Sequence, residues 1–202
     1  MRLGLLGPSQ GDEDAIRDAV EFLLGDAEVD EALYLGEDDG ALERVLSAVA
    51  KDLFGGPPSD DTFLDRAAEL GARGTPEQID ALLEADASLR RLATIRKLPP
   101  SPTRAVEMLA DRIMLAVHDK AVLDEEDIAN AHLIVYGRSE QASLRRFGPR
   151  AFLTPGPLTA RKVLLIDVEE QGLLTVSLFE TTGLPVWRET VGRKTARVQV
   201  SR

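Results

Sequence analysis

Residues 132–168 read HLIVYGRSEQASLRRFGPRAFLTPGPLTARKVLLIDV, and this stretch decides the fold. An apolar run, Leu133 to Tyr136, stops at Gly137 and gives way to a polar loop, Arg138 to Gln141. A second short run, Ala151 to Leu153, meets a tight Pro155-Gly156 turn, and a third, Val163 to Val168, leads into the tail. Short β-rich runs broken by Gly and Pro-Gly predict successive strands of one sheet. The Gly137 loop then falls at the C-terminal end of a strand, where α/β sheets usually keep their chemistry.

Upstream, Arg2 to Leu6 predicts a strand, Gly7 to Gly11 a loop, and Asp12 to Leu24 a helix. In that helix Ala15, Ile16, Ala19, Val20, Leu23 and Leu24 recur at helical spacing, acids fill the first turn and Gly25 closes it. Ala32 to Leu35 predicts a second strand, followed by the loop Gly36 to Gly40 and a helix from Ala41 to about Phe54. Gly55 to Ser59 is a cluster of breakers, and Asp61 to Leu70 a further helix. Thr75 is placed to cap the next helix, Pro76 to about Leu92, with the proline in its first position. Ile79, Leu82, Leu83, Leu89 and Leu92 form the apolar stripe of that helix and predict a core-facing side.

Lys97 to Pro102 predicts a rigid turn. Arg104 to Leu109 and Arg112 to Val117 read as paired strands around Ala110-Asp111, the second ending at His118. Asp124 to Ala129 is a short helix. Beyond the opening stretch, Leu173 to Phe179 and Val186 to Thr190, with turns at Gln171-Gly172 and Thr182-Gly183, continue an antiparallel tail. Arg197 to Val200 reads as a last short strand, and Trp187, among polar neighbours, as half-buried.

Gly137-Arg138-Ser139-Glu140 after one strand and Thr154-Pro155-Gly156-Pro157-Leu158 after the next resemble the calcineurin-like metallophosphoesterases in their small bacterial form. That family carries G-H-x-H and N-P-G-S-[LV] in these places. The frame matches and the metal-binding letters do not. The resemblance implies an α/β fold of two facing mixed sheets flanked by helices, a four-layer sandwich. It covers about residues 1–180, and the expectation is a single domain over 1–202, with an enlarged helical middle at about 38–95 and an antiparallel β tail at about 161–202.

The same resemblance assigns the former metal-ligand slots. Pro8 and Gln10 stand in the D-x-H of the first strand, and Glu37 stands in the G-D of the second. Thr75 takes the asparagine slot of R-G-N, His118 keeps its histidine, and Arg138 and Glu140 replace the two histidines of G-H-x-H. Proline has no donor atom, a neutral amide is a poor substitute for imidazole, and a guanidinium has no lone pair to give and repels a cation. A two-metal phosphoesterase centre needs a dense set of aspartate, histidine and asparagine donors. The expectation is no metal, no other cofactor and no catalytic residue. Arg138 is expected to occupy the vacated volume, paired with Glu37, Glu140 or both.

The leading expectation for function is a catalytically inactive pseudo-phosphoesterase that binds another protein as a scaffold or adaptor, as the retromer subunit of this fold does. A second is a phosphate or nucleotide sensor, with Arg138 joined by Arg145, Arg146 or Arg161 at the old site. A third is a reduced single-metal enzyme built on Glu37, His118 and Glu140. No nucleophile elbow, P-loop or H-E-x-x-H competes with these.

The 202 residues carry a formal net charge of −11 and no cysteine, which excludes disulfides and thiolate metal sites. The negative balance argues against nucleic acid as a partner. The charge is uneven: residues 1–132 hold 13 basic and 29 acidic side chains, whereas residues 133–202 hold 11 basic and 6 acidic ones. This places an acidic helical surface beside a more basic sheet edge. No stretch approaches a signal peptide or membrane span, so a cytoplasmic protein without a membrane partner is expected.

Overall fold

The computed structural model describes residues 1–37, 40–54, 60–169 and 172–191. Among the described residues eleven strands divide between two sheets. The first half of the chain runs β1 (Arg2–Leu6), α1 (Glu13–Leu24), β2 (Glu31–Tyr34), α2 (Ala41–Phe54), α3 (Asp60–Arg73), α4 (Pro76–Leu92) and β3 (Ile95–Lys97). It continues with β4 (Ala105–Leu109), β5 (Arg112–Val117), α5 (Glu125–Asn130), β6 (Leu133–Tyr136), β7 (Ser143–Phe147) and β8 (Arg150–Thr154). The last three strands are β9 (Lys162–Val168), β10 (Leu174–Glu180) and β11 (Pro185–Val191).

One sheet has the order β11-β10-β9-β1-β2-β3 and the other β4-β5-β6-β8-β7. Strands β1, β2 and β3 are parallel to one another, as are β5, β6 and β8, while the flanking strands run antiparallel. The expected two-sheet mixed sandwich with helices outside is therefore present. The quoted stretch differs from expectation in one respect. Its first two runs lie in the five-stranded sheet and its third, β9, lies in the six-stranded one. The chain changes sheets across Pro155–Arg161, where Gly156 takes φ +72°. Apolar periodicity marks strands but does not say which sheet they join.

Alternation explains why the central strands are apolar on both sides. In β1, Leu3 and Leu5 face the second sheet and Leu6 faces the helices. In β9, Leu164 and Ile166 go to the inter-sheet core, and Val163 and Leu165 to the helix side. Strands covered on both faces read as continuous apolar runs. α1, α2 and the C-terminal half of α4 cover the first sheet through Ile16, Val20, Leu42, Val45 and Leu92. The short α5 covers part of the second, where Ile128 packs toward Leu115 and Ile134. Four layers result.

The helix α1 starts at Asp12, whose carboxylate accepts from the Ala15 N–H (2.9 Å), and stops at Gly25. α4 begins in a capping box, with Thr75 Oγ1 accepting from Gln78 N–H and Gln78 Oε1 accepting from Thr75 N–H. Its stripe is only half covered. Leu82 and Leu92 are buried and Leu89 packs partly, but Ile79 and Leu83 are exposed, the latter at 55%. α4 packs against α2 and α3, and neither covers Ile79 or Leu83; α3 itself leaves Leu64 61% exposed.

Two strands escaped the sequence reading. β3 is three residues long, and β7 is an edge strand whose SLRRF has no apolar alternation. Gly55 to Ser59, Gln171 and the possible strand Arg197 to Val200 lie outside the described residues, as do Asp38 and Asp39. Trp187 is half-buried, as expected. Among the described residues no helix is long and apolar enough to cross a membrane.

Candidate functional site

Three parallel strands in each sheet bring six loops to one end of the sandwich: those after β1, β2, β3, β5, β6 and β8. The loops are packed main chain against main chain. A Cβ on Gly7 would lie 1.7 Å from the Gly156 carbonyl oxygen, and one on Gly137 would lie 2.3 Å from that of Leu35. The Leu158 N–H donates to the Pro8 carbonyl (2.9 Å), and Gly137 and Arg138 N–H groups donate to the His118 carbonyl (3.1 and 2.7 Å). Below the first loop, the Ser9 N–H donates to the hydroxyl of fully buried Tyr34 at 3.1 Å.

His118 is the ligand type that the resemblance preserves, and it is buried. Its Nδ1 lies 3.0 Å from the Leu35 carbonyl oxygen and its Nε2 lies 3.0 Å from that of Pro99. Both ring nitrogens therefore face main-chain oxygens: a neutral imidazole donates from one of them, and the other nitrogen's lone pair points at a carbonyl rather than into open loop space. The imidazole joins three loops: those after β2, β3 and β5.

The other expected positions are distributed as follows. Pro8 sits in the β1 loop and contributes only its carbonyl. Gln10 has φ +55° and accepts from the Thr159 hydroxyl (3.3 Å), facing solvent. Glu37 and Glu140 are exposed. Thr75 is not in this cluster of loops. It lies between two helices as a cap, and the loop that follows the third parallel strand is Leu98-Pro99-Pro100. The R-G-T motif resembled a strand-end loop in letters, but topology gives that place to a prolyl turn whose strand was too short to notice.

Arg138 does not fill a vacated metal volume. Its side chain is 83% exposed and its guanidinium pairs with Asp119 at 3.1 Å, not with Glu37 or Glu140. Asp119, one residue beyond His118, was missed, although its adjacency to the strand end could have found it. The expected arginine cluster also does not gather. Arg161 pairs with Asp12 and Asp18 at the start of α1, while Arg146 reaches Glu189 (3.1 Å) and the Thr190 carbonyl (2.7 Å) on β11. Arg145, its neighbour on edge strand β7, is exposed.

The donor set does not fit a metal pair. A proline, an outward amide, an exposed guanidinium and a histidine turned to carbonyls replace what a two-metal site requires. In the reduced alternative of Glu37, His118 and Glu140, the imidazole nitrogens are turned to main-chain oxygens and the two carboxylates face solvent. Among the described residues, no three His, Asp or Glu side chains gather to hold an ion.

No protein-family model matches the sequence, and no curated protein does. Solved structures do. A conserved protein of Streptococcus pneumoniae TIGR4, described as a predicted phosphoesterase, superposes with TM-score 0.54 at 13% identity, over 95% of this chain and 97% of that one. Vps29 of Chaetomium thermophilum gives TM-score 0.55 at 12% identity over 100% of both chains. Vacuolar Protein Sorting 29 of Cryptosporidium parvum gives 0.53 at 10%, over 95% and 98%. At such identities the likeness is one of fold, and function has to be argued from the residues.

Proposed function

This chain has the fold of the calcineurin-like metallophosphoesterases, and we propose that it uses the fold without the family's chemistry, as a scaffold that binds another protein. The observation that carries this reading is His118. The ligand type retained from the family has both nitrogens 3.0 Å from main-chain carbonyls, so it works as a brace between loops. Around it, Pro8 and Arg138 stand where electron-pair donors are needed. The fold likenesses include both a phosphoesterase name and vacuolar-protein-sorting names, and the residues of this chain favour a role outside hydrolysis.

The exposed apolar side chains of α3 and α4 support a docking role. Leu64, Ile79 and Leu83 lie in the helical middle, on a surface otherwise rich in charge. Apolar side chains left exposed on a polar surface are what a partner can cover with gain. The test has two arms. Purified protein is assayed against a generic phosphodiester with manganese, and affinity capture is run with wild type beside Leu64→Glu and Leu83→Glu. Absence of turnover, with a partner captured by wild type and lost in the variants, supports the proposal. Manganese-dependent turnover that is lost in His118→Ala would overturn it.

A further inference from the structure

The end of the sandwich away from the strand-end loops carries a second feature. Strands β5, β6 and β8 start side by side there, and the register places Ile113, His132 and Arg150 next to one another, with Arg112 one residue upstream. β7 adds Arg146, paired with Ala151 of β8. Arg112, His132, Arg146 and Arg150, with Asp111 and the end of β11 at Val191, line an open cavity of about 690 Å³. A protein of formal charge −11 thus gathers three arginines and a histidine across four adjacent strands.

What holds these cations matters more than their number. Arg112 donates to the Val191 carbonyl (3.2 Å) and Arg150 to the Ala129 carbonyl (3.1 Å), so main-chain oxygens orient both guanidinium groups. Those contacts fix position without cancelling charge. Among the described residues, Arg150 has no carboxylate within ion-pair distance, and Asp111, at 3.6 Å from Arg112, is largely exposed. Arg146 is pinned by the Thr190 carbonyl and by Glu189. The Ile113 N–H donates to His132 Nδ1 (3.2 Å), which places the proton of a neutral ring on Nε2 and makes that atom a donor. Each guanidinium carries five N–H groups, so most remain available after these contacts.

We infer that this cavity binds a phosphate monoester through Arg112, His132, Arg146 and Arg150. A tetrahedral dianion presents oxygens in several directions, which suits donors arriving from several strands better than a flat carboxylate does. The cavity exceeds the volume of a phosphate group, and Val191 and Ala151 offer apolar wall to the organic part of the ester. Helices α1, α2 and α4 cover the other sheet, while the short α5, acidic at Glu125, Glu126 and Asp127, packs on this one. At the cavity itself three arginines meet two carboxylates, Asp111 and Glu189, and so keep a local positive balance. This inference is independent of the reading of the strand-end loops.

Calorimetric titration with phenyl phosphate at low salt tests it, with inorganic phosphate and benzyl alcohol as separate arms. Phenyl phosphate is expected to bind, inorganic phosphate to bind more weakly, and benzyl alcohol to give no heat. Arg150→Gln and Arg146→Gln are each expected to weaken phenyl phosphate by about tenfold or more. Arg138→Gln, at the opposite end, is expected to leave binding unchanged. Thermal melts establish that each variant is folded, and either folded arginine variant suffices. No heat with phenyl phosphate, or equal affinity in wild type and a folded variant, overturns the inference.

Discussion

His118 Nδ1 lies 3.0 Å from the Leu35 carbonyl oxygen, which ties the loop after β5 to the loop after β2 and so fastens one sheet to the other. With Nε2 at the Pro99 carbonyl, the ring occupies the space between the sheets as a structural member. Removing it takes the imidazole away from the buried Leu35 carbonyl and the half-buried Pro99 carbonyl. His118→Ala is expected to lower stability by about 1–3 kcal/mol, seen as a fall in melting temperature of ~2–4 °C per kcal/mol for a chain of this size. An unchanged melt would show that the brace is idle.

Metal addition offers an independent check. A cation that binds the folded state alone raises its stability in proportion to the logarithm of its concentration over Kd. Millimolar manganese or zinc is expected to leave the melting temperature where it was, because the loops offer neither a free imidazole nor a dense carboxylate set. A saturable stabilisation, abolished in His118→Ala, would contradict this.

Gly137 is held where no side chain fits, with its would-be Cβ 2.3 Å from the Leu35 carbonyl oxygen. Main chain on both sides cannot yield as a flexible side chain would. Gly137→Ala is expected to cost about 1–3 kcal/mol through overpacking, whereas Gly11→Ala meets no neighbour and is limited by its φ of +87° alone. Denaturant titration of the two variants separates these causes.

Leu83→Glu should behave differently. Leu83 is exposed, so its stability change is expected within about 0.5 kcal/mol, while capture of a protein partner is lost. A variant that melts normally and still retains its partner would move the docking surface elsewhere.

Asp127 supplies the pH dependence. The Asp124 N–H it accepts from, and then Arg104 at 2.5 Å, hold its carboxyl below the usual carboxylate range. A carboxyl whose folded-state value is depressed stabilises the fold above its unfolded value and loses that contribution as pH falls through the folded one. The α5 cap should therefore loosen only on acidification below the ordinary carboxylate range. Carboxyl-carbon NMR titration is expected to find Asp127 titrating below exposed aspartates, and Arg104→Gln is expected to move it upward.

Local sequence was enough for the elements that local physics controls. Asp12 and Gly25 bound α1, Thr75 and Pro76 open α4, and the continuous apolar runs of β1 and β9 announce strands. It was also enough to show that Pro8 and Arg138 cannot bind a metal, since a side chain's lack of a lone pair does not depend on its surroundings. Partnership is another matter. That β9 crosses to the other sheet, that Leu98-Pro99 rather than Gly74-Thr75 closes the third parallel strand, and that Arg138 meets Asp119 are consequences of strand order. So is the row of Arg112, His132, Arg150 and Arg146, four residues scattered over some forty positions of chain and made neighbours by register. Propensity acts over a few residues, whereas a site forms wherever strands from distant parts of the chain happen to end together.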